Sequence, residues 1–180
     1  ITEALGSQVR RAVELLIASF SEAAADAARR GLPNPLPEHS HDAYEAAVTT
    51  MMRIVFLLFA EERGLLPSGE LFEQGYGIAG ALDRLQGRET HEGEEALDAT
   101  SMVWHRLLAT SRALYDGASF EGMRMPAYGG SLFDPARFGF LTATTEAGTL
   151  ALTVSDRVML HALRSVQQAD LKGGETRRIS

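Results

Sequence analysis

The residues able to do chemistry are scattered along this 180-residue chain, and their spacings match no established catalytic pattern. His39 and His41 form a His-x-His pair, but the chain has no cysteine and no third ligand nearby, so no metal site is expected there. Adjacent carboxylates such as Glu61 and Glu62 point about 100° apart on a helix and do not converge on one substrate atom. We therefore expect no catalytic residue, no cofactor-binding residue and no metal ligand in this chain.

The glycine pair at Gly129 and Gly130 is only superficially similar to a phosphate-binding loop. That loop requires a preceding strand, a third glycine and a Lys-Ser/Thr pair, and the sequence has none of these here. Residues 126–135 instead combine turn-forming prolines and glycines with large apolar side chains. These side chains belong to Tyr128, Leu132 and Phe133. The pattern predicts an ordered structural loop that is pinned to neighbouring helices.

The charge of the chain argues against strong binding of nucleic acid. Its net charge is −7 and its isoelectric point is about 5.2, whereas domains that bind DNA by themselves are usually basic. Local basic positions remain as candidates for DNA contact, with a solvated helix face as the alternative interpretation. These positions are Arg10, Arg11, Arg29, Arg30, Lys172, Arg177 and Arg178.

Length and composition indicate one globular domain. The hydrophobic content is 45% and the charged content is 23%, which argues against general disorder. We assign residues 1–171 to a helical domain and residues 172–180 to a polar tail that leads to an absent downstream domain. The start at Ile1 suggests a piece of a longer protein. The absence of cysteine suits a cytoplasmic protein, and no membrane association is expected.

The most informative segment is the apolar stretch at residues 51–60, which reads as a buried helix. Apolar side chains occupy nearly all of its positions, so we expect the helix to be covered on every side by the core. Arg53 is the exception, and a buried guanidinium needs a carboxylate or carbonyl partner. We expect this partner to come from outside the helix. Gly64 is expected to end the helix in the left-handed conformation.

Helical spacing of apolar residues predicts a mainly α fold: an irregular bundle of about five major helices, with a long ordered loop and at most one short strand or hairpin. The predicted helices cover residues 2–30, 43–63, 76–85, 94–116 and 155–168. Asp42 and Glu45 form a candidate capping box for the second helix, and Ser155 is a candidate cap for the last. Residues 69–75 are expected to be irregular and residues 86–95 to form a loop. Trp104, the only tryptophan, is expected to anchor the core.

Three segments together resemble a known family. The first is Arg53 with residues 56–67, the second is Trp104 with Leu107 and Leu108, and the third is residues 126–135. Their order resembles the helical region upstream of the methyltransferase domain in large bacterial adenine-specific DNA methyltransferases, which include single-chain restriction–modification enzymes and phage-defence methylases. The motif residues are Arg53, Glu61, Glu62, Arg63, Trp104, Pro126, Tyr128, Gly129, Gly130, Phe133 and Asp134.

The resemblance implies a non-catalytic helical connector that orients catalytic modules around DNA. The family's Asn-Pro-Pro-Tyr/Phe motif and its S-adenosylmethionine loop have no counterpart here, nor does a nuclease motif. S-adenosylmethionine would therefore be a cofactor of the parent protein only, and DNA would be bound through the parent. The adjacent methyltransferase domain would be the partner in the same chain. The alternative is a self-standing helical regulatory or protein-binding module.

Overall fold

A computed structural model describes residues 2–67, 69–120, 123–125, 131–171 and 175–178 of the chain. The mainly α fold is confirmed, and five long helices dominate the described residues. The helices are α1 (Thr2–Arg29), α2 (Ser40–Glu62), α3 (Glu70–Gly75), α4 (Ile78–Glu92), α5 (Met102–Asp116) and α6 (Asp156–Gln167), with 3-10 turns at Glu94–Ala99 and Gly139–Leu141.

Glycine ends both long N-terminal helices by the same device. Gly31 and Gly64 have φ values of +69° and +67°, a region that residues with a Cβ rarely occupy. The residue after each glycine donates its N–H back across the last turn, from Leu32 to the Ala27 carbonyl at 2.8 Å and from Leu65 to the Ala60 carbonyl at 2.9 Å. The predicted left-handed ending at Gly64 is confirmed.

The start of α2 differs from the prediction. The helix begins at Ser40, three residues before the predicted start, and its N-cap residue His39 makes no side-chain capping bond. Glu45 does not form the predicted capping box with Asp42; its carboxylate pairs with the His41 ring at 3.1 Å one turn away. Asp42 lies inside the first turn, where its negative charge interacts favourably with the helix dipole and stabilises the helix without acting as a cap.

The middle of the chain is more helical than predicted. Residues expected to be irregular form α3, and residues expected to form a loop continue α4 to Glu92. Ion pairing explains the continuation, because Arg88 pairs with Glu92 one turn on at 3.2 Å. Gly93, with a φ of +90°, ends α4. The helix predicted over 94–116 is instead a 3-10 turn followed by α5, with the chain extended at Thr100.

Two hairpins are described where at most one was expected. β1 (Ala118–Phe120) pairs antiparallel with β2 (Met123–Met125), and β3 (Gln168–Leu171) pairs antiparallel with β4 (Glu175–Arg178). Gln168 lies opposite Arg178 in the second hairpin. The residues assigned to a polar tail thus include a strand that pairs with the end of the helical domain.

The core forms around the sole tryptophan. Trp104 is fully buried, as predicted, and its indole meets the ring of Phe20 from α1 edge to face at a centroid distance of 6.3 Å. Phe20 in turn meets Phe140 at 5.9 Å. Helix α1 packs on α6 and α2, and α4, α5 and α6 pack on one another.

Helix α2 is buried on one side only, which corrects the expectation that the core covers it all round. Its inner face includes Met51, Ile54 and Leu57, all fully buried, while Met52 and Phe59 on the outer face remain exposed. By length and composition this helix meets the criteria for a membrane span, with a mean hydropathy of 1.5 over its best window. More than half of that window is buried inside the protein, which is typical of a core helix.

Candidate functional site

Arg53 joins two of the motif segments. The residue is buried, and its Nε donates a hydrogen bond to the carbonyl of Leu132 at 2.6 Å. Its Nη2 donates to the carbonyl of Asp134 at 3.2 Å. The predicted partner from outside the helix is confirmed and consists of two main-chain carbonyls. The guanidinium on α2 therefore holds the described part of the 126–135 loop against the core.

The electrostatic environment of Arg53 is dominated by burial. Loss of hydration lowers the pKa of its guanidinium, and the positive charge of Arg137 lowers it further. The carboxylate of Asp134 acts in the opposite direction. Arginine nevertheless remains protonated at neutral pH, because its ordinary pKa is so high. The Arg53 side chain is thus a permanent cation that donates hydrogen bonds to backbone carbonyls.

Aromatic packing and a local turn complete this junction. Phe133 is buried, as predicted, and its ring meets that of Phe56 edge to face at 5.3 Å. Leu132 is half-buried against the core. The Asp134 side chain accepts a hydrogen bond from the Ala136 N–H at 2.9 Å, which orders the turn. Residues 131–135 are therefore structural, as predicted.

Glu61, a second motif residue, caps a helix other than its own. Its Oε2 accepts hydrogen bonds from the N–H groups of Ile78 and Ala79 at 3.1 and 3.2 Å, at the first turn of α4. The local N-cap residue Gly77 has no side chain to do this. A Cβ at Gly77 would lie 3.0 Å from Glu61 Oε1, so glycine lets the carboxylate approach.

Burial raises the pKa of Glu61, and the two N–H bonds and the nearby Arg106 counteract this effect. Arg106, on α5, donates from Nη1 to the carbonyls of Glu73 at 3.2 Å and Gly77 at 2.9 Å. Its Nη2 donates to the carbonyl of Gln74 at 2.5 Å. Arg106 thus binds the C-terminal end of α3 just beside the carboxylate. Together the two charged side chains fix the α3–α4 turn.

Asp156 performs the equivalent capping at α5, and sequence reasoning missed it. The residue is fully buried at the first position of α6, and its Oδ1 accepts the Val103 N–H at 2.9 Å. Its Oδ2 accepts the Thr100 hydroxyl and lies 3.7 Å from Arg88 Nη1. Ser155, by contrast, was correctly predicted as the cap of α6, since its hydroxyl accepts the Val158 N–H at 3.2 Å.

Among the residues that the structure describes, one cluster has ligand types that suit a metal ion: Glu89, Glu94 and His161, whose ligand atoms lie within 4.8 Å of one another. Arginine side chains already pair with both carboxylates. Arg164 binds both oxygens of Glu89, at 2.6 and 3.1 Å, and Arg157 lies 3.2 Å from Glu94. The bidentate bond lowers the pKa of Glu89. His161 also pairs with Glu94. The cluster is a surface ion-pair network between α4, the following turn and α6.

The basic candidates for DNA contact are exposed where they are described, and most are paired along their own helix. Arg11 lies 3.8 Å from Glu14, and Arg29 and Arg30 lie 3.3 and 3.5 Å from Asp26. Arg10 lines a shallow groove between α1 and α2. These carboxylates offset much of the positive field that a phosphate would meet.

The remaining predicted residues fall into two groups. Glu62 and Arg63 are exposed at the end of α2, with the Arg63 guanidinium 5.0 Å from the centroid of the Phe59 ring. Pro126, Tyr128, Gly129, Gly130 and Lys172 lie outside the described residues, and for Arg177 and Arg178 only the backbone in β4 is described.

Comparisons with protein-family models, with curated proteins and with solved structures find no match for this chain. Arg53, Glu61, Arg106 and Asp156 each connect separate elements through main-chain groups or the end of a helix. Such contacts fix the relative positions of helices, and they leave these groups engaged inside the fold.

Proposed function

We propose that the chain is a non-catalytic helical connector of a bacterial adenine-specific DNA methyltransferase or restriction–modification enzyme, spacing and orienting catalytic modules around DNA. The observation that carries the proposal is the contact of Arg53 with the carbonyls of Leu132 and Asp134. It joins the first and third segments of the resemblance, 79 residues or more apart, into one structural unit. A scaffold function explains why its most distinctive residues bind main chain.

Under this proposal, S-adenosylmethionine and the methyl-transfer residues belong to another part of the parent protein, which would act in the cytoplasm. DNA would be engaged through the parent, with this chain as one wall of the complex. The net charge of −7 supports a limited contribution of the chain itself to DNA affinity. The paired arginines of α1 agree with that limit.

The test starts with the complete reading frame that encodes these residues. An Asn-Pro-Pro-Tyr or Asn-Pro-Pro-Phe motif downstream in the same frame, together with S-adenosylmethionine-dependent adenine methylation by its product, is the expected result. The 180-residue chain alone should bind duplex DNA with a Kd no tighter than about 10⁻⁴–10⁻⁶ M at physiological salt, the non-specific range. Submicromolar, sequence-selective binding by the chain alone contradicts the proposal.

The second candidate is a self-standing helical module that binds protein. The exposed apolar side of α2, with Met52 and Phe59, favours it, since such surfaces commonly mark interaction sites. A stop codon directly after Ser180 would support the self-standing module and rule out the connector function.

A further inference from the structure

The outer face of α2 is apolar although it faces solvent. Tyr44, Val48, Met52, Val55 and Phe59, here called the α2 stripe, follow one another at intervals of four, four, three and four residues. Tyr44, Met52 and Phe59 are 52%, 37% and 44% exposed, and the two valines are half-buried. This spacing is that of a helix face that packs on another helix, as in a coiled-coil seam. Nothing in the main function proposed above requires such a stripe.

Along one edge of the stripe, exposed charges of opposite sign stand at the two ends, while Glu62 lies on the other edge at the C-terminal end. Glu45 lies beside its N-terminal end and Arg63 beside its C-terminal end, both exposed. They are 18 residues apart, which is five full helical turns, so both lie along the same edge of the stripe. Their present contacts are local and on the surface: Glu45 with His41, and Arg63 with the Phe59 ring.

We propose that the α2 stripe is a homodimer interface in which two copies pack α2 against α2 in antiparallel orientation. A two-fold rotation reverses the helix direction and keeps each edge on its own side. Glu45 of each copy then meets Arg63 of the other, and Met52 packs near Val55 at the centre. In a parallel arrangement Glu45 and Arg63 of the two copies would lie at opposite ends of the interface, about 27 Å apart along the helices, and this pair could not form. The self-complementary pair of Glu45 and Arg63 on one edge is the observation that points to a second copy in the antiparallel orientation.

The size of the stripe sets the expected affinity. It extends over 16 residues of helix, from Tyr44 to Phe59, a rise of about 22 Å at 1.5 Å per residue. One helix from each copy buries an area at the low end of specific interfaces, where association is reversible. We expect a monomer–dimer equilibrium with a Kd on the order of 10–100 µM. This inference is independent of the connector proposal.

Sedimentation velocity of the 180-residue chain over about 5 µM to 1 mM tests the interface. Phe59→Asp should abolish the dimer, because it places two charges, one from each copy, inside the apolar contact. Met102→Asp is the matched control: Met102 is 64% exposed on α5, away from the stripe, and its replacement should leave the dimer unchanged. Circular dichroism verifies that both variants remain folded.

Charge reversal tests the orientation. Glu45→Arg and Arg63→Glu should each raise the Kd about tenfold, since each makes two symmetric pairs repulsive. An equimolar mixture of the two variants should form heterodimers with nearly the original affinity, because both pairs regain opposite charges. The double variant should regain its homodimer for the same reason. Monomeric wild-type chain throughout the range, or failure of the mixture to recover, overturns the proposal.

Discussion

Two carboxylates, one partly and one fully buried, each cap the start of a helix other than their own. Glu61 accepts the first N–H groups of α4, and Asp156 accepts an N–H in the first turn of α5. In each case the local N-cap residue, Gly77 or Ser101, makes no side-chain capping bond. A carboxylate from another helix replaces it, so helix capping and helix packing become one interaction.

The two capping carboxylates differ in how deeply they are buried. Asp156 is fully buried and has a hydroxyl, an N–H and Arg88 as partners, whereas Glu61 is only partly buried. Glu61 also belongs to a conspicuous charged ending of an apolar helix, and Asp156 does not stand out in the sequence. The more prominent residue in the sequence is therefore the less buried one in the fold.

The largest expected effect is at Asp156. Asp156→Ala should lower the free energy of unfolding by about 3–5 kcal/mol, because it leaves the Val103 N–H, the Thr100 hydroxyl and Arg88 without their buried partner. Urea unfolding measures the change. Asp98→Ala is the control, since this exposed carboxylate pairs with Arg157 at the surface and its loss should cost less than about 1 kcal/mol. Equal costs would contradict the assigned role.

A smaller loss is expected at Glu61. Glu61→Ala removes an acceptor from two N–H groups at a partly hydrated helix start, and should cost about 1–2 kcal/mol, the usual value of a cap. A loss as large as that of Asp156→Ala would show that partial exposure does not separate the two sites.

Gly77→Ala should act through Glu61. The new Cβ meets Glu61 Oε1 at 3.0 Å, and we expect the carboxylate to withdraw at a cost of about 1 kcal/mol or less. In the Glu61→Ala background the same change should cost little. Gly87→Ala, at an open position inside α4, should instead stabilise by about 0.5–1 kcal/mol. If the losses caused by Gly77→Ala and Glu61→Ala were additive in the double variant, the steric link between Gly77 and Glu61 would be contradicted.

The smallest effect is a difference in pH dependence between Glu61 and Glu89. The folded-state pKa of Glu61 is raised above 4.5, so its contribution to stability falls as pH rises through that folded-state value. The pKa of Glu89 is lowered below 4.5, so its contribution is present above 4.5 and is lost as pH falls through the lower value. Urea unfolding of Glu61→Gln and Glu89→Gln between pH 3 and 7 should show changes in slope of opposite sign. Changes of the same sign would contradict the assignments.

Residues whose structural role follows from their immediate neighbours in the sequence were predicted correctly. The buried Arg53 required a partner, Gly64 ended a long apolar helix, and Trp104 was expected in the core, where it lies. Sequence reasoning did not find Arg106 or Asp156, because their partners lie 29 and 53 residues away and no spacing rule connects them. It also placed a loop at the end of α4, where ion pairs of Arg88 and Glu89 sustain the helix.

The sequence by itself determined that five long helices form and that α2 ends at Gly64, because apolar periodicity and glycine conformation act within a few turns of chain. Tertiary structure decided which carboxylate caps which helix, since α6 must first reach α5 before Asp156 can accept the Val103 N–H. It also decided which side of α2 faces water. Apolar side chains at nearly all positions of residues 51–60 cannot specify that choice. The packing of α1 and α4 on one side of α2 leaves the stripe exposed.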